Sequence, residues 1–134
     1  MKNPAHHIRH KGQAAVELAL LLPIIIVLIF GVFEFGRAMY VRNTLNYAAR
    51  MGARAAATQM PFSQSAVKDQ VRNSIPVQLQ GGLTIAVSPA VPVYGTAVTV
   101  SVSSPFSIDI IPGFLPIEKN VVLLGQASMM YERN

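Results

Sequence analysis

The dominant feature of the pattern is an apolar run close to the N-terminus. Residues 18–33, LALLLPIIIVLIFGVF, contain no charge. Extension upstream to Gln13 adds only Glu17 and gives a stretch of about 30 Å as a helix, enough to cross a hydrocarbon core. Beyond it, Val41, Leu45, Ala48, Gly52 and Ala55 or Ala56 recur at three- and four-residue steps, while Arg42, Asn46, Arg50 and Arg54 form a polar stripe. This spacing predicts one helix from about Ala14 to Thr58, bent at Pro23 because that residue lacks the N–H of the ladder. Pro61 closes it. Ser63 or Ser65 caps a second, short helix with Val67, Val71 and Ile75 on its apolar face, ending before Pro76.

The pattern then changes period. Gly81-Gly82 marks a turn, residues 83–88 and 96–103 alternate as strands around a seven-residue connection, and a last strand covers 120–131. The expected fold is α+β, a long N-terminal transmembrane helix packed on a small three-stranded antiparallel sheet with one short extra helix. Residues 104–119, SPFSIDIIPGFLPIEK, depart from the alternation. Their Phe106, Ile108, Ile110, Ile111, Phe114 and Leu115 either fill the helix–sheet core or form an exposed contact patch.

Composition narrows the function. The 134 residues are 51% apolar and only 13% charged, which leaves room for one small domain beside a membrane segment. Cysteine is absent, so disulfides and thiolate chemistry are excluded. Three of the net five positive charges, Lys2, Arg9 and Lys11, lie in residues 1–12, so the remainder is nearly balanced. That basic start suits a secretory signal, but no small-x-small site follows the long apolar run, where Phe33-Glu34-Phe35-Gly36-Arg37 stands. Arg37, Arg42, Arg50 and Arg54 follow the span closely, so charge bias alone does not orient it. The arginine stripe can reach phospholipid headgroups, but without interleaved aromatics it is a poor nucleic-acid site.

Catalytic chemistry finds no support. His6, His7 and His10 place at most two imidazoles on one helix face, short of a metal site, and read as part of a basic, disordered leader. Asp69, Asp109, Glu118 and Glu132 are scattered, no histidine follows His10, and no nucleophile-elbow, phosphate-loop or zinc-protease motif occurs. The expectation is a non-enzyme with no catalytic residue, no metal, no cofactor, no small-molecule substrate and no nucleic-acid partner.

Glu17 is the exception in the apolar run. A carboxylate inside a spanning helix costs about 2.5–3.5 kcal/mol, so it either serves a function or sits among headgroups at the end of the span. Its surroundings, Gly12-Gln13-Ala14-Ala15-Val16-Glu17 after the basic Arg9-His10-Lys11, resemble the prepilin peptidase site of type IV pilin precursors. The longer stretch is similar to the TadE-like pseudopilins of tight-adherence (Flp) pilus systems. The matching features are Gly12 with Glu17, Pro23, Glu34-Phe35-Gly36-Arg37 and Ala48-Ala49-Arg50-Met51-Gly52-Ala53-Arg54, with a looser likeness at Ala127-Ser128-Met129-Met130-Tyr131-Glu132.

The resemblance implies cleavage between Gly12 and Gln13, placing Glu17 fifth in the mature chain. There its carboxylate would neutralise the new α-amino group of a neighbouring subunit, since a buried charge is tolerable when paired. It also implies a bacterial inner-membrane, single-pass protein with a cytoplasmic N-terminus and a periplasmic or pilus-associated C-terminal domain. The partners implied are prepilin peptidase, other pilins and pseudopilins of the Flp pilus, the assembly machinery and the membrane itself. The division expected is a cleaved leader at 1–12, the span at 13–36, its extramembrane continuation at 37–60 and the small domain at 61–134. Major pilins of these systems are shorter, which favours a minor, accessory subunit.

Two features remain two-sided. Glu34 and Arg37 form an i,i+3 pair at the membrane boundary, serving as an interfacial anchor or in recognition. Ala48, Gly52 and Ala56 form a small-residue row that packs on the protein's own domain or on another helix. The alternative function is an unprocessed, membrane-anchored envelope protein whose periplasmic domain binds a partner.

Overall fold

The computed structural model describes residues 6–108 and 119–132, with side chains for 12–108 and 120–132. Helix α1 (His6–Thr58) is followed by α2 (Gln64–Asn73), a 3-10 turn at Val77–Leu79, and strands β1 (Thr84–Ser88), β2 (Ala97–Ile108) and β3 (Lys119–Met130). The strands form one antiparallel sheet in the order β1-β2-β3. This is the α+β arrangement the pattern predicts. Helix α1 starts earlier than the expected Ala14, so the backbone from His6 to Gly12 is helical rather than disordered.

Helix α1 has two different halves. From Gly12 to Phe33 every residue is exposed, whereas Val41, Leu45, Ala48, Ala49, Gly52, Ala53, Ala56 and Ala57 are buried. The buried positions follow helical spacing and are mostly alanine or glycine, which lets the sheet approach the helix axis closely. Against them pack Val98, Val100, Val102 and Phe106 of β2, Val87 of β1, and Val67, Val71 and Ile75 of the α2 region. Of the two alternatives at the end of the row, Ala56 is buried and Ala55 half-buried.

Local signals fix the connections. The Ser63 side chain caps α2, accepting from Ala66 N at 3.4 Å, and Gln64 Nε2 donates to Val87 O at 3.2 Å. Gln80 closes the other end of α2 by donating to Ile75 O (2.9 Å) and Arg72 O (3.1 Å). Backbone bonds from Tyr131 N to Thr96 O and from Gly95 N to Tyr131 O continue the β2–β3 ladder past the formal strand ends. The Tyr131 ring also meets Phe62 edge-on, with centroids 6.3 Å apart.

Strand β2 is longer than the alternation predicts, running to Ile108 instead of 103. The expected break at Ser104-Pro105 is therefore corrected. Strand β1 pairs only as far as Ser103, so Pro105 lies where β2 has a single neighbour, and a missing N–H is tolerated at such an edge. Of the apolar segment 104–119, Phe106 is buried and Ile108 packs against the core. Ile110, Ile111, Phe114 and Leu115 lie outside the described residues.

Four contacts show how the sheet lies on the helix. Val100 faces Gly52, Gly125 meets the backbone of Leu45 and Asn46, Phe106 stacks under Arg37, and Ile108 shares a groove with Gly31. The eight steps from Val100 to Ile108 cover about 26 Å of strand, and Gly52 to Gly31 about 32 Å of helix. Strands β2 and β3 therefore run alongside α1, with their paired ends at Ile108 and Lys119 toward the apolar half.

Candidate functional site

The first part of the site is the exposed N-terminal half of α1. Its aliphatic and aromatic side chains, from Val16 to Phe33, are exposed and join no core cluster among the described residues. Gly12 has open space around it. Glu17 is exposed and accepts a 3.4 Å hydrogen bond from Gln13 Nε2, one turn earlier. The two sides of the Gly12–Gln13 bond and Glu17 thus lie on an accessible helical surface. Pro23 lies inside the same continuous helix.

The second part is a clamp where the apolar half meets the domain. Arg37 Nη2 pairs with Glu34 Oε1 at 2.5 Å and its Nε donates to Glu34 Oε2 at 3.1 Å, a two-pronged contact suited to a planar guanidinium. The same Nη2 donates to the Ser107 carbonyl, and the guanidinium carbon stands 4.6 Å from the Phe106 ring centroid. The Glu34 side chain is 12% exposed and that of Arg37 44%. Sequence spacing indicated the Glu34–Arg37 pair. It gave no sign of Phe106 and Ser107, because that contact spans seventy positions.

Below the clamp, Gly31, Glu34, Phe35, Ala38, Phe106 and Ile108 line an open groove of about 240 Å³. Its walls are almost wholly apolar apart from Glu34, which Arg37 engages.

The small-residue row is occupied by the protein's own domain. Ala48, Gly52 and Ala56 are all buried, and a Cβ at Gly52 would collide with Val71 Cγ2 and approach Val100 Cγ1 to 3.1 Å. A less yielding approach, against backbone rather than a side chain, occurs at Gly125 of β3. A Cβ there would lie 2.5 Å from Asn46 N and 2.6 Å from Leu45 O, both backbone atoms. A lone glycine in a strand was the available signal.

Among the described residues no three His, Asp or Glu side chains converge on a point where a metal would bind. The side chains of His6, His7 and His10 lie outside those described. A second hollow, lined by Met51, Arg54, Ala55, Thr58, Gln59 and Gln70, brings no nucleophile and base together.

Fold and surface define a class, a small α+β domain carried on a long helix whose free half is exposed and apolar. Among the described residues α1 is the helix long and apolar enough to cross a membrane. A family model described as TadE-like protein matches residues 12–54, so this part of the chain is TadE-like. The match begins at Gly12 and ends within the buried half of α1, and it points to a protein associated with the Tad pilus. No curated protein and no solved structure matches the chain.

Proposed function

We propose that the chain is a minor pilin-like, non-enzymatic membrane subunit that assists assembly of Flp pili. Residues 13–36 cross the inner membrane, 37–60 continue the helix outside it, and 61–134 complete a periplasmic domain. Prepilin peptidase removes residues 1–12, and Glu17 pairs with the α-amino group of Gln13 on a neighbouring pilin or pseudopilin. Pro23 bends the helix within the bilayer, and Glu34 with Arg37 marks its boundary.

The observation that carries this reading is that the TadE-like match takes in the whole exposed half of α1. The match starts at Gly12, and Glu17 is the one acid on a surface that is otherwise uncharged to Phe33. A surface of that kind needs lipid or other subunits to cover it. The test is N-terminal sequencing and intact mass of the protein from its native membrane. A chain beginning at Gln13 supports processing, whereas one retaining residues 1–12 in cells with active prepilin peptidase overturns it.

One observation favours the second reading, a permanently anchored envelope protein. The Gly12–Gln13 bond lies within helical backbone, and proteolysis prefers segments free of such hydrogen bonding. Glu17→Val separates the two. An anchor tolerates it, while a pilus subunit inserts in the membrane normally and fails to support pili counted by electron microscopy.

A further inference from the structure

We propose that the end of β2 at Phe106–Ile108 rests in the membrane surface, with lipid acyl chains filling the groove between α1 and β2. The domain would then touch the bilayer beside its anchor rather than standing clear of it. This rests on the reading that α1 crosses the membrane.

Position along the helix is the first argument. Ile108 shares the groove with Gly31 and Phe35, and Gly31 lies within the uncharged run that ends at Phe33. Gly31 is about 9 Å closer to the N-terminus of α1 than Arg37. If residues up to Phe33 are in hydrocarbon, the end of β2 is at the boundary of that layer.

The chemistry of the groove is the second. Its walls are continuous with the exposed face formed by Leu28, Ile29, Val32, Phe33 and Phe35, so whatever solvates that face also reaches the groove. Gly31 leaves the groove open on the helix side, since a Cβ there would touch nothing within 4 Å.

Charge is the third. The acid that lines the groove, Glu34, is held by Arg37, which also binds the carbonyl of Ser107. An acid beside the hydrocarbon layer is tolerable when paired and hydrogen-bonded. The arginine lies at the rim with its head partly exposed, as long basic side chains do at an interface. Ser104–Ile108 and Asn120–Leu124 carry no charged side chain, and the charges next to them in sequence are Asp109, Glu118 and Lys119. The opposite end of the domain carries Val91, Val93 and Tyr94, all exposed, but has no such continuity with the span.

The sequence contains no tryptophan and no cysteine, so single reporters are unambiguous. Full-length Leu28→Trp, Ile108→Trp and Tyr94→Trp proteins are reconstituted in phosphatidylcholine–phosphatidylglycerol vesicles, with and without brominated acyl chains. The proposal expects bromolipid to cause a loss of emission at Leu28→Trp and at Ile108→Trp, and none at Tyr94→Trp. Quenching at Leu28→Trp with Ile108→Trp behaving like Tyr94→Trp overturns this inference and leaves the membrane span intact. No quenching at Leu28→Trp overturns the span and the inference together. A blue-shifted but unquenched Ile108→Trp means that protein, from a second copy or from this chain, fills the groove, and also overturns it. Ile108→Cys, a smaller change, gives an independent reading. In vesicles it should resist a water-soluble maleimide that labels Ser128→Cys, and equal labelling overturns the proposal.

Discussion

Replacing Gly125 with alanine tests whether the strand-to-helix contact governs the fold. The new methyl would lie 2.5 Å from Asn46 N and 2.6 Å from Leu45 O, while ordinary contact begins near 3.4 Å. Neither neighbour is a side chain that can rotate away. Strand β3 and helix α1 must therefore separate by about 0.9 Å. A gap of about 0.5–1 Å forfeits a quarter to a half of each contact's attraction, which here affects Leu123 and Ala127 as well. Overpacking of this kind costs about 1–3 kcal/mol, and the rigid backbone on the far side puts Gly125 at the upper end. For a domain of this size each kcal/mol moves the melting point by about 4–8 °C. Gly125→Ala should therefore melt at least 10 °C lower, by roughly the product of those two figures. The assay is loss of the sheet signal in far-ultraviolet circular dichroism, using the full chain in detergent micelles. Gly36→Ala is the control, because its Cβ meets nothing within 4 Å and helix-interior alanine is favoured by about 0.5–1 kcal/mol. If Gly125→Ala melts with that control, the close approach is not what holds sheet to helix.

Two further outcomes follow from the same packing. Gly52→Ala should destabilise by about 1–2 kcal/mol, less than Gly125→Ala because its obstacle is the Val71 side chain, and Val71→Ala should partly rescue it. Thermal melts of the two single variants and the pair measure this coupling, and strict additivity would count against the contact. Arg37→Gln should speed amide hydrogen exchange at Phe106, Ser107 and Ile108 while changing global stability by less than about 1 kcal/mol, given the exposure of the arginine. Unchanged exchange there means the clamp does not hold the end of β2.

The helix halves, a serine cap at Ser63 or Ser65 and the strand order were legible because each rests on local spacing. Val41, Leu45, Ala48 and Gly52 repeat at helical steps, and Val98, Val100 and Val102 alternate, so the period alone names the buried face. The end of β2 was not legible. Pro105 looks like a breaker until it is known that β1 stops pairing at Ser103, so that no strand on that side asks Pro105 for an N–H. Gly125 and the Phe106–Arg37 stacking were hidden for a related reason, since both join segments far apart in sequence. The small-residue row shows the limit of pattern reading. It announced a close approach at Ala48, Gly52 and Ala56 without saying that the partners would be Val71 and Val100 of the same chain.

The alignment of strands β2 and β3 with α1 has a mechanical consequence. A pull along the helix axis, applied to the exposed half, loads the whole helix–sheet interface at once, in shear. No single contact at one end peels first, because Gly52, Leu45 with Asn46, and Arg37 each engage the sheet at successive heights. A domain hung from its anchor by a loop would swing or unzip under the same force. Here the exposed half of α1 continues into the spine of the domain, so the two move as one rigid handle.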